Sequence, residues 1–208
     1  MSQLIKVQVA DLAKTAANAV PVDSILDAAR DLMIDIGIRR TTMADVARAA
    51  RVSRATLYRR FPNVDELAAT VVSREFETAI DTEATDPATV AADELLPTIV
   101  GTVVAMTRAA RGHPLLRAII KHDPEFFLPY LLHRPGRTSD TQLRMLHTVI
   151  AQGVSSGAIR QADPYELAVS VLLTAWSFGL TGPVFADEAH PHMLDNQLTD
   201  LLTRYLTP

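Results

Sequence analysis

Residues 42 to 61, TMADVARAARVSRATLYRRF, constrain the fold more than any other stretch of this chain. Thr42 and Ser53 each precede a short segment with helical spacing, and both residue types are preferred as helix N-caps. Leu57 and Phe61 lie four residues apart, so they fall on one face of the second segment. The stretch therefore predicts two short helices that are joined by a tight turn and pack on a common core.

Helical spacing continues on both sides of this stretch, and no segment alternates as a strand would. Asp23 or Ser24 is predicted to cap the first helix, and Gly37 stands where a left-handed residue is needed at its end. Asn63 and Glu66 have the spacing of a capping box, and Pro97 is expected to kink or split its helix. The predicted helices cover approximately 22–36, 43–50, 54–61, 64–80, 88–110, 114–121, 125–132, 139–156, 164–181 and 193–206.

Basic residues are concentrated around the two short helices. Between residues 36 and 64 the chain has seven arginines and one acidic residue, Asp45, a local charge of +6 in a chain of net charge −4. The remainder therefore carries −10. A local basic patch is the usual footprint of phosphate binding, although a solvated helix face is the alternative explanation of an arginine run.

The spacing favours the first explanation. Two short capped helices joined by a turn of three or four residues are typical of the helix-turn-helix motif, whose second helix enters the major groove of DNA. In this chain the second helix directs a set of polar side chains outward: Arg54, Thr56, Tyr58, Arg59 and Arg60.

The longer stretch TTMADVARAARVSRATLYRRFPNVDEL resembles the DNA-binding signature of the tetracycline-repressor (TetR) family of regulators. The resemblance covers residues 22 to about 80, and beyond them it is one of architecture only. It implies an all-α protein in which an N-terminal three-helix helix-turn-helix head is joined to a C-terminal helical ligand-binding and dimerisation body. We accordingly divide the chain into an N-terminal arm (1–20), a DNA-binding domain (21–67) and the body (68–208).

The resemblance also implies which residues contact DNA. Arg54 and Ala55 fall at positions that meet base edges, where arginine pairs with guanine O6 and N7 and alanine touches a thymine methyl group. For Tyr58 the alternative is packing against the first helix. The other DNA-binding candidates, most of them at positions that contact phosphates in such proteins, are Thr42, Ser53, Thr56, Tyr58, Arg59 and Arg60.

Two residues depart from the family pattern, which has glycine and lysine where this chain has Arg51 and Val64. If the turn keeps its left-handed residue, Arg51 costs about 1 kcal/mol relative to glycine, and its charge is available for a phosphate contact. Val64 removes one phosphate contact and leaves the backbone donors of that helix start to face the DNA.

The last two predicted helices carry apolar stripes that suit a four-helix interface in a twofold homodimer, as the resemblance also implies. The alternative is that these stripes close the core of the monomer. In such a dimer the two recognition helices are expected to lie about 34 to 36 Å apart or somewhat more. The stripes consist of Leu167, Val171, Leu172 and Ala175 in the first helix, and of Leu194, Leu198, Leu201, Leu202 and Tyr205 in the second.

The resemblance implies a pocket for a small-molecule effector among the middle helices, and aromatic residues with a few polar tips suggest a largely apolar ligand. Core packing is the alternative for each of these residues. The pocket candidates are Met106, Phe126, Phe127, Tyr130, Met145, His147, Val149 and Trp176, of which Met106, Phe127, Tyr130, His147 and Trp176 are the chosen ligand contacts.

We expect neither a cofactor nor a metal site. The chain has no cysteine, and its histidines lack the i, i+4 spacing that would place two ligands on one helix face. The residues considered are His113, His122, Asp123, His133, His190 and His192.

A membrane location is not expected either. The longest apolar run, Leu167 to Leu180, is shorter than the roughly 20 residues that cross a bilayer, so we interpret it as a buried helix. The N-terminus has no continuous signal-peptide core. These features favour a cytoplasmic protein with no membrane partner.

Three classes of function remain to be compared. The first is a transcriptional repressor that binds a near-palindromic operator as a dimer and is released by a small-molecule effector. The second is an enzyme, which we do not expect because no set of nucleophile, base and acid is recognisable. The third is a ligand carrier or interaction protein that keeps the helix-turn-helix fold without binding DNA, and the basic cluster argues against it.

Overall fold

The structure is a computed structural model that describes residues 21–83, 90–129, 137–186 and 189–208. No strand occurs within these ranges, and the all-α prediction is confirmed. Shorter turns of 3-10 helix cover Pro124–Phe126 and Gly182–Val184, and a π-helical turn covers Ser177–Thr181. The α-helices are α1 (Val22–Ile36), α2 (Met43–Ala49), α3 (Arg54–Arg60), α4 (Val64–Glu83), α5 (Ala92–Gly112), α6 (Pro114–His122), α7 (Arg137–Ser156), α8 (Pro164–Trp176) and α9 (Met193–Leu206).

The chain divides into two compact units, and the boundary between Val71 and Val72 falls inside α4. We call the first unit the head and the second the body. The sequence-based boundary between residues 67 and 68 lies in the same helix and stays a proposal, as does the N-terminal arm, because residues 1–20 lie outside the described ranges.

The helix starts of the head follow the predicted caps. The Thr42 hydroxyl accepts a hydrogen bond from the backbone N–H of Asp45 at 3.2 Å, and the Ser53 hydroxyl accepts one from the backbone N–H of Thr56 at 3.1 Å. Asn63 caps α4 in the same way. Each bond satisfies a donor that the first turn of a helix leaves without an intrahelical partner.

The apolar faces of α1 to α4 supply the core of the head. α1 packs on α2, and α2 packs on α3. The side chain of Leu57 is fully buried and fixes the inner face of α3. The buried apolar residues of this unit are Ile25, Leu26, Ala29, Met33, Ile38, Met43, Val46, Ala47, Leu57, Phe61, Leu67, Ala68 and Val71.

One local prediction was wrong and two others differ from the structure in part. Helix α1 starts at Val22 after Pro21 without a side-chain cap, so Asp23 and Ser24 lie within its first turn. Helix α5 runs through Pro97, which lies in its second turn, so the predicted split does not occur. The segment predicted as a helix over 125–132 begins as the 3-10 turn Pro124–Phe126, residues 128–129 are helical, and its last residues lie outside the described part of the chain.

The core of the body is formed mainly by α5, α7, α8 and α9. Helix α8 packs most extensively on α7, and α9 packs on α5. The core residues that form this cluster are Leu95, Ile99, Val100, Val103, Val104, Ile150, Ile159, Leu167, Ala168, Val171, Leu198, Leu202 and Leu206.

A polar contact also joins α9 to α5. The Asp195 carboxylate is largely buried and accepts hydrogen bonds from Arg108 at 2.6 Å and from Arg111. Burial raises the pKa of Asp195, but the hydrogen bonds from Arg111 and Arg108 outweigh that effect and hold the pKa below its ordinary value. Asp195 is therefore an ionised anchor between the two helices.

The apolar stripes predicted for dimerisation turn out to belong mostly to this core. Leu167, Val171 and Leu172 are buried inside the body, as are Leu198 and Leu202. The alternative, closure of the monomer core, is thus correct for these five residues. Leu201 and Tyr205 of the second stripe are exposed on α9, and two residues outside the first stripe, Tyr165 and Leu173, are exposed on α8.

The buried-helix interpretation of the long apolar run was only half right. The segment Pro164–Val184 is long and apolar enough to cross a membrane by length and composition, and 28% of its most apolar stretch is buried. A core helix of a soluble protein passes the same test, and α8 does place Leu167, Ala168 and Val171 in the core. Its opposite face is open, with Leu173 at 58% exposure.

Candidate nucleic-acid interface

Helix α3 is oriented within the head by Leu57, which points into the core, so the remaining side chains of this short helix face outward or sideways. Arg54, Ala55 and Arg59 are exposed, and Thr56 and Arg60 are half-buried. A helix with one buried anchor and an outward row of polar side chains has the form required of a major-groove reader.

Tyr58 shares the outward surface of α3. Its side chain is 53% exposed, so it does not belong to the buried core against α1, which was the alternative explanation of this residue. An exposed tyrosine next to arginines has a hydroxyl that is able to donate to a phosphate oxygen.

The N-terminus of α3 is held by a pair of hydroxyl groups. Besides capping Thr56 N, the Ser53 Oγ lies 2.8 Å from Thr56 Oγ1 in a hydrogen bond. Both residues are near the positive end of the helix, where a phosphate is favoured. Ser53 and Thr56 therefore have a structural role in the free head that is compatible with a phosphate contact.

Not every arginine of the basic cluster is equally available. Arg48 forms an ion pair with Asp45 at 2.7 Å, and the Thr42 hydroxyl donates to the same carboxylate at 2.6 Å. The hydrogen bond from Thr42 is the largest influence on the pKa of Asp45 and, with Arg48, lowers it. In contrast, no ion pair is recorded for Arg54 or Arg59 within the described residues.

The start of α4 offers little to a phosphate for reasons besides Val64. The Asn63 side chain accepts from the backbone N–H of Glu66 at 2.8 Å, which occupies one of the free donors at this end. Asp65 and Glu66 lie in the first turn. Their carboxylates complement the helix dipole but repel a phosphate, so this helix start offers DNA less than a lysine would.

The pocket candidates of the body are spread over several helices. Met106 and Phe127 are half-buried, the Phe127 ring packs edge-on against Phe126, and His147 is exposed beside Tyr165 with ring centroids 6.5 Å apart. The indole N–H of Trp176 donates to Gln142 Oε1 at 3.2 Å.

His147 on α7 contacts Tyr165 on α8, and Trp176 on α8 contacts Gln142 on α7. These contacts do not bring His147 and Trp176 together. Tyr130 and His133 fall outside the described residues. The ligand site therefore stays a prediction.

Sequence reasoning found Leu201 and Tyr205 among the outward apolar residues of the body but missed others. Leu173 was not singled out, and neither were Val184 and Phe185, which are 77% and 72% exposed. The signal was weak because α8 is apolar on most sides, so the helical period does not tell the inner face from the outer one.

The family-model comparison matches the head. Residues 25–71 match the model for bacterial regulatory proteins of the tetR family. An uncharacterised HTH-type transcriptional regulator of Mycobacterium tuberculosis is 28% identical over 182 residues, which covers 88% of this chain and 92% of the relative. The match with this relative thus extends through head and body.

Solved structures share the fold of the whole chain. The transcriptional regulator FadR from Bacillus subtilis, in complex with stearoyl-CoA, aligns with a TM-score of 0.68 at 16% identity, covering 89% of this chain and 100% of FadR. A transcriptional regulator from Saccharomonospora viridis, in complex with choline, aligns with a TM-score of 0.66 at 19% identity over 89% and 97%. The chain thus has a head that matches the tetR family of bacterial regulatory proteins over residues 25–71, and it shares its fold with these solved transcriptional regulators.

Proposed function

We propose that this protein is a homodimeric repressor that binds a near-palindromic operator through α3 of each protomer and is released by a small-molecule effector bound in the body. The observation that carries the DNA-binding part is the outward surface of α3. Leu57 anchors the helix in the head, while Arg54 and Arg59 are exposed and have no recorded ion pair among the described residues. Such guanidinium groups form charge-assisted hydrogen bonds with phosphate oxygens and hydrogen bonds with base edges.

The residues of the interface divide into two roles. Arg54 and Ala55 begin α3, and the N-terminal residues of a recognition helix are those that reach base edges. We assign sequence readout to this pair. We assign phosphate contacts, which fix the register without reading sequence, to Thr42, Ser53, Thr56, Tyr58, Arg59 and Arg60.

Dimerisation is supported by the outer faces of α8 and α9. Leu173 is 58% exposed and Leu201 is 48% exposed, although a soluble monomer gains nothing from leaving large apolar side chains in water on adjacent helices. A twofold axis beside α8 and α9 would bury these residues in a four-helix interface. Head and body thus use separate surfaces, α3 for DNA and the outer faces of α8 and α9 for the second protomer.

The effector is proposed to act through α4, because this helix carries residues of both units. Within the body, the Phe76 ring stacks on His113 with centroids 6.2 Å apart, and Glu75 Oε2 lies 3.6 Å from His113 Nε2. His113 stands between the end of α5 and the start of α6. A ligand that shifts these two helices would therefore act directly on α4.

Thermodynamic linkage between effector binding and DNA binding fixes how strongly the effector weakens the affinity for DNA. An effector that binds the free dimer more tightly than the DNA-bound dimer weakens DNA affinity by the same factor, typically 5- to 150-fold. The relatives of known structure hold ligands as different as stearoyl-CoA and choline. We propose only that the effector here is largely apolar, with contacts among Met106, Phe127, Tyr130, His147 and Trp176.

The test measures binding of the purified protein to duplexes from the intergenic DNA beside its own gene and to random duplexes of equal length. The proposal expects one saturable complex of a dimer with a preferred duplex, and weaker binding to the random ones. Addition of an identified ligand should then lower operator affinity. If the ligand binds and operator affinity stays the same, the protein is not an effector-released regulator.

The enzyme and carrier alternatives lead to different outcomes. A ligand carrier without DNA binding would show no preference among duplexes and no change on adding ligand. Membership of a regulator family supports a non-enzymatic role in the cytoplasm, where the operator is. Among the described residues, no observation favours an enzyme or a ligand carrier.

A further inference from the structure

The turn between α2 and α3 closes with two backbone hydrogen bonds. Arg51 N donates to Arg48 O at 3.2 Å, and Val52 N donates to Ala47 O at 2.9 Å. This pair of bonds defines a Schellman motif, which requires a left-handed residue directly after the helix C-cap. Arg51 occupies that position with φ of 55° and is the only non-glycine residue with positive φ among those the structure describes.

Arginine is a poor choice for this position on conformational grounds. The Cβ of an L-residue crowds the backbone in the left-handed region, and glycine has no such atom. The chain cannot relieve the strain by moving Arg51 to another region without breaking the two bonds that end α2. A strained residue held by its surroundings points to a functional reason for the side chain.

The Arg51 side chain has no recorded role in folding. It is exposed, and no hydrogen bond or ion pair of its guanidinium group is found in the described part of the chain. Two neighbouring arginines differ from it, since Arg48 pairs with Asp45 and the Arg40 Nε donates to Ile36 O at 2.6 Å. The charge of Arg51 is therefore available to an external anion.

The position of Arg51 selects the kind of anion. Arg51 precedes the Ser53 cap by two residues and lies outside α3, whose own first residues are those that reach into the groove. A cation beside the entry of a recognition helix meets the phosphates that flank the groove. We propose that Arg51 is an additional DNA phosphate contact, which gives this chain affinity at a turn position where glycine would fold better.

This inference rests on the proposed function, and the test compares full-length wild type with three variants: Arg51→Gly, Arg51→Asn and Arg51→Lys. Binding to operator and to random duplexes is measured from about 50 to about 300 mM salt, because the fall in affinity over such a range reports the number of phosphate contacts. Asparagine tolerates the left-handed region better than most residues, so it separates loss of charge from the added flexibility of glycine. Lysine keeps the charge.

We expect Arg51→Gly to raise Tm by about 2 to 4 °C, because the strain is removed, while weakening binding to both duplexes by the same factor. The slope of log K against log salt should become less negative by about 0.9 per contact, or about 1.8 for a dimer. Arg51→Asn should share this slope, and Arg51→Lys should keep the slope of wild type.

Two results for the variants would overturn the inference. Unchanged slopes in both Arg51→Gly and Arg51→Asn would mean that the arginine is only solvated, and a loss confined to the operator would mean that it reads a base. If wild type itself binds no DNA, the proposed function fails together with this inference, an outcome that is recognised before any variant is compared.

Discussion

The head and the body of this protein differ in what they leave on their surfaces. In the head the apolar side chains are largely internal and α3 presents arginines outward, whereas in the body the outer faces of α8 and α9 present Leu173 and Leu201. A surface of exposed cations fits a polyanion, and a surface of large apolar side chains fits another protein surface. Under the proposed function, DNA recognition and self-association would therefore belong to separate parts of the chain.

The largest expected effect concerns the body. Leu173→Glu should destabilise the dimer by about 3 to 6 kcal/mol, because twofold symmetry introduces the charge twice and removes the burial of two leucines. Sedimentation should show a monomer at micromolar concentration, and operator affinity should fall with the loss of the second head. Leu173→Met is the matched control and should remain a dimer. A dimeric Leu173→Glu variant would exclude this part of α8 from the interface.

The second prediction concerns the head. Arg54→Ala should cost about 1 to 3 kcal/mol per half-site and relax the preference at one base pair, since a bidentate contact with guanine is lost. Arg60→Ala should weaken all sequences alike. Binding to a panel of operators with single base-pair changes measures both effects. Equal losses on operator and random DNA for both variants would reduce Arg54 to a phosphate contact.

The third prediction compares two aspartates of α9. Asp195→Asn should lower the free energy of unfolding by about 2 to 3 kcal/mol, because Arg111 is left with a weaker partner in a largely buried site. Asp200→Asn breaks only the exposed pair with Arg204 at 2.8 Å and should leave the free energy of unfolding nearly unchanged, because exposed ion pairs contribute little. Chemical denaturation near pH 7 measures both differences. Equal values for the two variants would show that Asp195 is not an anchor.

The pH dependence of Asp195 follows from the direction of its pKa. The pKa is lowered in the folded protein, so the stabilisation is fully present above the ordinary carboxyl pKa of about 3.9 and is lost as pH falls through the folded value. The difference in the free energy of unfolding between wild type and Asp195→Asn should therefore be constant from about pH 5 to about pH 8, where the carboxyl stays ionised, and should narrow below about pH 4.

The smallest predicted effect compares one helix cap in each unit. Ser53 caps α3, and Asp163 caps α8 by accepting from the backbone N–H of Tyr165 at 2.7 Å. Ser53→Ala and Asp163→Ala should each reduce stability by about 1 kcal/mol, measured by thermal denaturation. Only Ser53→Ala should also weaken DNA binding, since its helix carries the interface. Comparable DNA affinity of the two variants would argue against a role of α3 in recognition.

The head was predicted from sequence far better than the body. Caps at Thr42, Ser53 and Asn63 have local signatures, because a side-chain oxygen reaches a backbone N–H only three residues ahead. The left-handed backbone at Arg51 was expected only on condition that the turn keeps the conformation of the glycine that the family has there, and the structure has it. Such features depend on neighbours in the sequence and need no knowledge of the tertiary packing.

The failures in the body have a common physical cause. Leu167 and Leu173 are both leucines on α8, yet one is buried and the other is 58% exposed, and only the positions of α5, α7 and α9 decide between them. The contact of Asp195 with Arg108 and Arg111 joins residues more than 80 positions apart, so no local pattern announces it. The misplaced cap of α1 has a different origin, because Pro21 occupies the N-cap position and makes no side-chain hydrogen bond there.

The separation of roles between head and body is tested most directly by the salt dependence of operator binding by the wild-type dimer. With two heads that each present several arginines, log K should fall linearly with log salt with a slope steeper than about −4, while the dimer itself persists over the same range. A flat response, or a dimer that dissociates as steeply as the DNA complex, would contradict the account.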